Sequence, residues 1–176
     1  MPSHENPGTC PGSAQRYSVT DTGISNPLVL AVLPPEEDEQ ALKEILASPS
    51  WSLHIATTFA EARLKLDASF VVITESSFPD GRGWRDLLCV IQDMIYPPPL
   101  IVADRLADER LWAEVLNLGA FDLLAKPYEA REVLHAVTVA CSRRQHQESI
   151  AARKDSKSVK PGPAPAARAR AAGGGY

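Results

Sequence analysis

The chain has 176 residues, 44% of them hydrophobic and 23% charged, and a formal net charge of −4 at pH 7. The longest wholly apolar run in the body, Leu28–Leu33, falls far short of the ~18 residues a spanning helix needs, which argues against an integral membrane protein. Three distant cysteines, Cys10, Cys89 and Cys141, form no CxxC pair, which argues against a disulfide scaffold or a cysteine zinc site and fits a reducing cytoplasm.

Residues 1–26 are rich in Pro, Gly, Ser, Thr and Asn and read as a disordered arm without the basic and apolar regions of a secretory signal. A first β-prone run begins near Leu28. A helix follows with Ala41, Leu42, Ile45 and Leu46 on one stripe, and Glu36, Glu37, Asp38 and Glu39 suit the positive end of its dipole. A second strand near Leu53 leads to a helix carrying Phe59, Ala62 and Leu66, with Thr58 and Glu61 spaced as a capping box. The third strand starts at Phe70 and its helix shows Leu87, Leu88, Ile91 and Ile95. The fourth starts at Leu100, followed by Leu111, Val115 and Leu118 with Gly119 as the helix stop. The fifth starts near Phe121, followed by Val133, Val137 and Cys141. Five strand–helix repeats, with continuously apolar strands among them, imply a three-layer α/β fold around a doubly wound parallel sheet.

From about Arg143 onward, aliphatics other than Ala nearly vanish. This stretch carries eight basic and two acidic residues, net +6, which leaves −10 on the remainder. The expected division is an arm over 1–26, a single body over 27–144 and a disordered basic tail over 145–176.

Two phrases, FVVITESSFPDGRGW (Phe70–Trp84) and LNLGAFDLLAKPYEAREVL (Leu116–Leu134), make the body from Pro27 to Arg144 resemble the receiver domain of bacterial response regulators. The resemblance implies a flavodoxin-like five-stranded sheet of order 2-1-3-4-5. It also implies phosphoryl transfer from a histidine kinase to an aspartate at the carboxyl edge of that sheet. Such a pocket uses an acidic pair after strand one to hold Mg²⁺ with the acceptor, a Ser or Thr ending strand four, and a lysine ending strand five.

Of these working positions only Lys126 is kept as such, and by resemblance its bond to Pro127 is cis. The plain alternative is a surface lysine ahead of a proline at a helix start. The acceptor position falls on Glu75, a residue that in many receivers imitates the phosphorylated state. A standing Glu75–Lys126 salt bridge is expected, with an idle solvated acid as the alternative. A phosphoryl group on Glu75 is possible in principle, but from a displaced position. The acidic-pair positions fall on Leu33 and Pro34, which ligate nothing. Moving Glu36–Glu39 into the pocket needs a deletion in a tight loop and is not expected, so neither Mg²⁺ nor another cofactor is expected. The hydroxyl position falls on Asp104, with Arg105 next; its carboxylate repels a phosphoryl group and competes with Glu75 for Lys126. The aromatic switch position falls on Leu123, with Phe121 two residues earlier on the same strand face. The pattern implies a degenerate pseudo-receiver.

No dinucleotide, P-loop or hydrolase motif occurs, so no catalytic set is assigned and an enzyme is not expected. His135 reads as a packed or edge histidine, and Trp84 and Trp112 as core or rim aromatics that could instead face a partner. The expected function is a cytoplasmic two-component signalling protein acting as a phosphorylation-independent interaction module. Its partner, a histidine kinase or an output protein, is expected on the fourth helix, fifth strand and fifth helix (Asp108–Arg144), with no membrane contact. The alternatives are an adaptor whose basic tail binds nucleic acid or another polyanion, and a conventionally phosphorylated receiver using Glu75.

Overall fold

A computed structural model describes residues 26–34 and 38–158, with backbone alone for residues 152 and 154–158. Five strands alternate with helices: β1 (Leu28–Val32), α1 (Asp38–Ile45), β2 (Ser52–Ala56), α2 (Phe59–Lys65), β3 (Val71–Glu75), α3 (Trp84–Gln92), β4 (Leu100–Asp104), α4 (Glu109–Leu118), β5 (Asp122–Ala125) and α5 (Ala130–Ser158). All pairings are parallel and the sheet order is β2-β1-β3-β4-β5, as the resemblance implies. The expected arm lies outside the described residues except at its last position, and Glu36, Glu37 and the tail beyond 158 lie outside them too.

Alternation along the strands divides the core between the two helix layers. Val29, Ala31, Val71, Ile73 and Ile101 face α1 and α5, where Leu42, Leu46, Val133, Val137 and Cys141 are buried. Leu30, Val32, Val72, Leu100 and Val102 face α2, α3 and α4, where Phe59, Trp84, Leu87, Ile91 and Val115 are buried. Both faces of β1, β3 and β4 are therefore covered, which is why those runs carry no polar alternation. Phe121 packs with the α1–α5 side and Leu123 with the α4 side. The expectation that they share a face is corrected: Phe121 precedes β5, so the two-residue period does not reach it.

Local signals account for most helix ends. Thr58 accepts from the Glu61 N–H at 3.2 Å, while the Glu61 carboxylate accepts from Thr57 rather than Thr58. Asp108 caps α4 by accepting from the Leu111 N–H at 2.8 Å. Gly119 stops α4 at φ +98°, a conformation that costs an L side chain energy.

Two boundaries differ from the sequence reading. Helix α3 ends at Gln92, so Ile95 is 87% exposed and is not part of its stripe. Helix α5 runs to Ser158 instead of ending near 144. Arg144, the last residue of the expected body, is buried, its Nε donates to Glu148 at 2.9 Å, and its guanidinium lies 5.8 Å from the Phe70 ring centre.

Burial pushes the Cys141 thiol up to about 11. Burial first, then the Asp38 charge, pushes the Tyr128 phenol up as well. The folded protein thus holds these protons more tightly than the unfolded chain, whose thiol titrates near ~8.5. The thiol's contribution is complete below pH ~8.5 and is lost as pH rises through 11; the phenol's declines only above its unfolded value near ~10. Stability measured by urea denaturation is expected to fall over that window, by up to about 3 kcal/mol for the thiol. A Cys141→Ala variant with an equally steep alkaline decline would remove the thiol as a cause.

Candidate functional site

The carboxyl ends of β3, β4 and β5 bring distant charges to one rim. Register places Glu75 beside Ala103 and Asp104 beside Ala125, and the Lys126 N–H donates to the Asp104 carbonyl at 3.0 Å. The Lys126–Pro127 peptide is cis. The Lys126 side chain is 4% exposed, and its Nζ donates both to Glu75 Oε1 and, at 2.7 Å, to Asp38 Oδ2. A charged side chain so far from water needs paired charge to offset its lost hydration, and the two carboxylates supply it.

The Glu75–Lys126 pair is the one that sequence reasoning expects. Its second partner was missed. Asp38 stands in the first turn of α1, where it also complements the helix dipole, and Arg105 approaches it at 3.7 Å. The expectation that the acids after β1 stay out of the pocket is therefore corrected for Asp38. A close acid run directly after two prolines was the available signal, but the run itself does not single out Asp38.

Asp104 does not compete for Lys126. Its carboxylate accepts from the Ser76 hydroxyl and from the Leu106 N–H at 2.6 Å, which ties the ends of β3 and β4 together. Ser76 was not singled out from the sequence, although it immediately follows Glu75. Leu33 is buried in the core and Pro34 is half-buried; neither side chain offers an oxygen. Tyr128 stands beside the pocket with its ring centre 5.5 Å from Lys126 Nζ and its buried hydroxyl unpartnered among the described residues.

The metal that the resemblance implies does not fit these residues. A hard divalent cation needs several oxygen ligands, yet Asp38 and Glu75 are both engaged by one ammonium. Among the described residues, no group of three or more acid, histidine or cysteine side chains is arranged to hold a metal.

The loop from Ser76 to Gly83 closes the rim. Gly81 has φ +81°. Gly83 pairs with Ser77, and the following Trp84 N–H donates to the Ser76 carbonyl at 3.3 Å. A Cβ at Gly83 would stand 2.8 Å from that same carbonyl oxygen. The Gly-x-Gly of the sequence thus serves a turn at its first position and a close backbone approach at its second. Trp84 itself is core, whereas Trp112 is 52% exposed and His135 is exposed on α5.

An open doubly wound α/β domain with its charged residues at the strand carboxyl rim defines the class. Solved structures narrow it. A signal receiver domain of an HD domain-containing protein from Pseudomonas fluorescens Pf-5 is similar at 26% identity and TM-score 0.60, over 69% of this chain and 98% of that one. The receiver domain of Francisella response regulator 1452 is similar at 22% identity and TM-score 0.59, over 67% and 98%. A response regulator receiver domain protein from Clostridium thermocellum is similar at 22% identity and TM-score 0.58, over 69% and 98%. No family model and no curated protein sequence matches the chain. Its fold is that of the response-regulator receiver domain. Among the described residues, no helix is long and apolar enough to cross a membrane.

Proposed function

We propose that this chain is a two-component signalling module that works by docking a protein partner, without reversible phosphorylation of its own pocket. The observation carrying the reading is Lys126 Nζ held by Glu75 and Asp38 at 4% side-chain exposure. In a phosphorylated receiver the lysine would bind phosphoryl oxygens; here fixed carboxylates already supply its negative partners. The ion pair holds the rim in one state, and the α4–β5–α5 face stays committed with it. Phosphorylation of Glu75 would have to break a largely buried charge pair and recruit a metal without its usual acids, each step opposed by desolvation and misplacement.

Incubation with acetyl phosphate and Mg²⁺, read on a phosphate-affinity gel, is expected to give no phosphoprotein. A phosphorylated band that disappears in Glu75→Ala would overturn the reading and establish Glu75 as a working acceptor.

A further inference from the structure

We propose that the groove between α4 and α5 receives the basic segment following residue 158 of another copy of this chain. The inference rests on reading the α4–β5–α5 face as a docking surface, and it names the occupant. The groove has a volume of about 460 Å³ and is bordered by Asp108, Glu109, Trp112, Asp122, Glu132 and His135, with no lysine or arginine among its described lining residues. Arg131 stands at a neighbouring hollow shared with Glu129, Glu132 and His135. Asp108 and Asp122 are partly engaged by backbone N–H groups. The Glu109 and Glu132 carboxylates have no hydrogen bond or ion pair with other described residues. The half-exposed Trp112 indole adds an apolar wall.

The chain itself carries the complementary chemistry. Residues 159–176 contain Lys160, Arg168 and Arg170 and no acid, and Pro161, Pro163 and Pro165 alternate ahead of the arginine pair. Proline-spaced segments lose little entropy on entering an aromatic-lined groove. An extended Arg-x-Arg then presents both guanidiniums on one side, facing unpaired carboxylates.

Reach decides which copy supplies the segment. Ser158 lies 23 residues along α5 from His135, about 35 Å at 1.5 Å per residue. Ten residues on, Arg168 could return that far only at full extension, about 33–36 Å, whereas a flexible ten-residue chain spans ~17 Å on average. Docking between copies avoids that stretching. Because groove and segment are different surfaces, two copies can exchange segments reciprocally in a closed pair, or pass them head-to-tail along an open series.

Sedimentation of the full chain at low salt should show a weight-average mass that rises above the monomer's with concentration and falls back in high salt. Arg168→Glu/Arg170→Glu, and separately Glu109→Lys/Glu132→Lys, should each weaken association at least about tenfold. The chain carrying all four substitutions should regain it. A mass that stays monomeric at every concentration, or association indifferent to the groove reversal, overturns the inference. So does a monomer whose Trp112 emission responds to the arginine reversal, because that is docking within one chain. If the segment binds nucleic acid while the groove reversal changes nothing, the polyanion is its partner instead. Acetyl phosphate labelling reads only the Glu75 pocket, so failure there and failure here are distinguishable.

Discussion

Lys126→Met is expected to cost about 3 kcal/mol of folding stability at neutral pH, measured by urea denaturation. The substitution keeps most of the stem volume and removes the charge. Glu75 and Asp38, whose side chains are 13% and 27% exposed, would then face each other without a cation. The exposure of Asp38 holds the loss toward the lower end of the range for broken buried pairs, since water and Arg105 can still reach it. Adding Glu75→Gln to Lys126→Met should recover more than half of the loss, because the second change removes the stranded charge rather than a contact. A single variant as stable as wild type, with no recovery in the double, would show that the ion pair contributes nothing to the fold.

Gly83→Ala is expected to cost about 2–3 kcal/mol through overpacking, although its backbone lies in an extended region open to any residue. The added methyl would meet the Ser76 carbonyl oxygen at 2.8 Å. That atom is main chain, fixed by β3 on one side and the Trp84 N–H on the other. Relief must come from moving the β3–α3 loop, and with it the Ser76 hydroxyl that braces Asp104. Gly81→Ala provides the contrast: nothing lies within 4 Å of its added Cβ, and the penalty there is φ +81° alone, about 1 kcal/mol. Urea midpoints for the two variants should therefore differ in that order. Equal losses would mean that backbone conformation, and not crowding, governs this loop.

The sheet was readable because burial on both faces leaves a simple mark, a continuous apolar run, at β1, β3 and β4. Helix ends were readable where a side chain or glycine does a defined job, as at Thr58 and Gly119. The errors share a cause. Ile95 was assigned by spacing alone, although Pro97, Pro98 and Pro99 lie just beyond and the helix stops at Gln92. The end of α5 was placed where aliphatics disappear, yet Ala, Gln, Glu, Arg and Lys favour helix strongly; their arrival marks the end of burial, which indeed stops at Arg144 among the described residues.

At the rim, Glu75 and Lys126 could be paired from the sequence because each ends a strand in a known order. Asp38 could not. It sits 88 residues from Lys126, and nothing in the run of four acids singles it out as the partner. Ser76 and Asp104 likewise meet only through the register of β3 with β4.

Helix α5 continues 14 residues past Arg144, the last buried side chain among those described, from 145 to 158. Each residue of a helix turns the chain by about 100°, so this stretch acts as an angular setting for whatever follows it. One residue added or removed there would swing the downstream chain to another quadrant while shifting it only about 1.5 Å. Seven residues would restore the heading almost completely at a greater distance. Bearing and separation are thus independently adjustable along this one element, without touching the sheet or its rim.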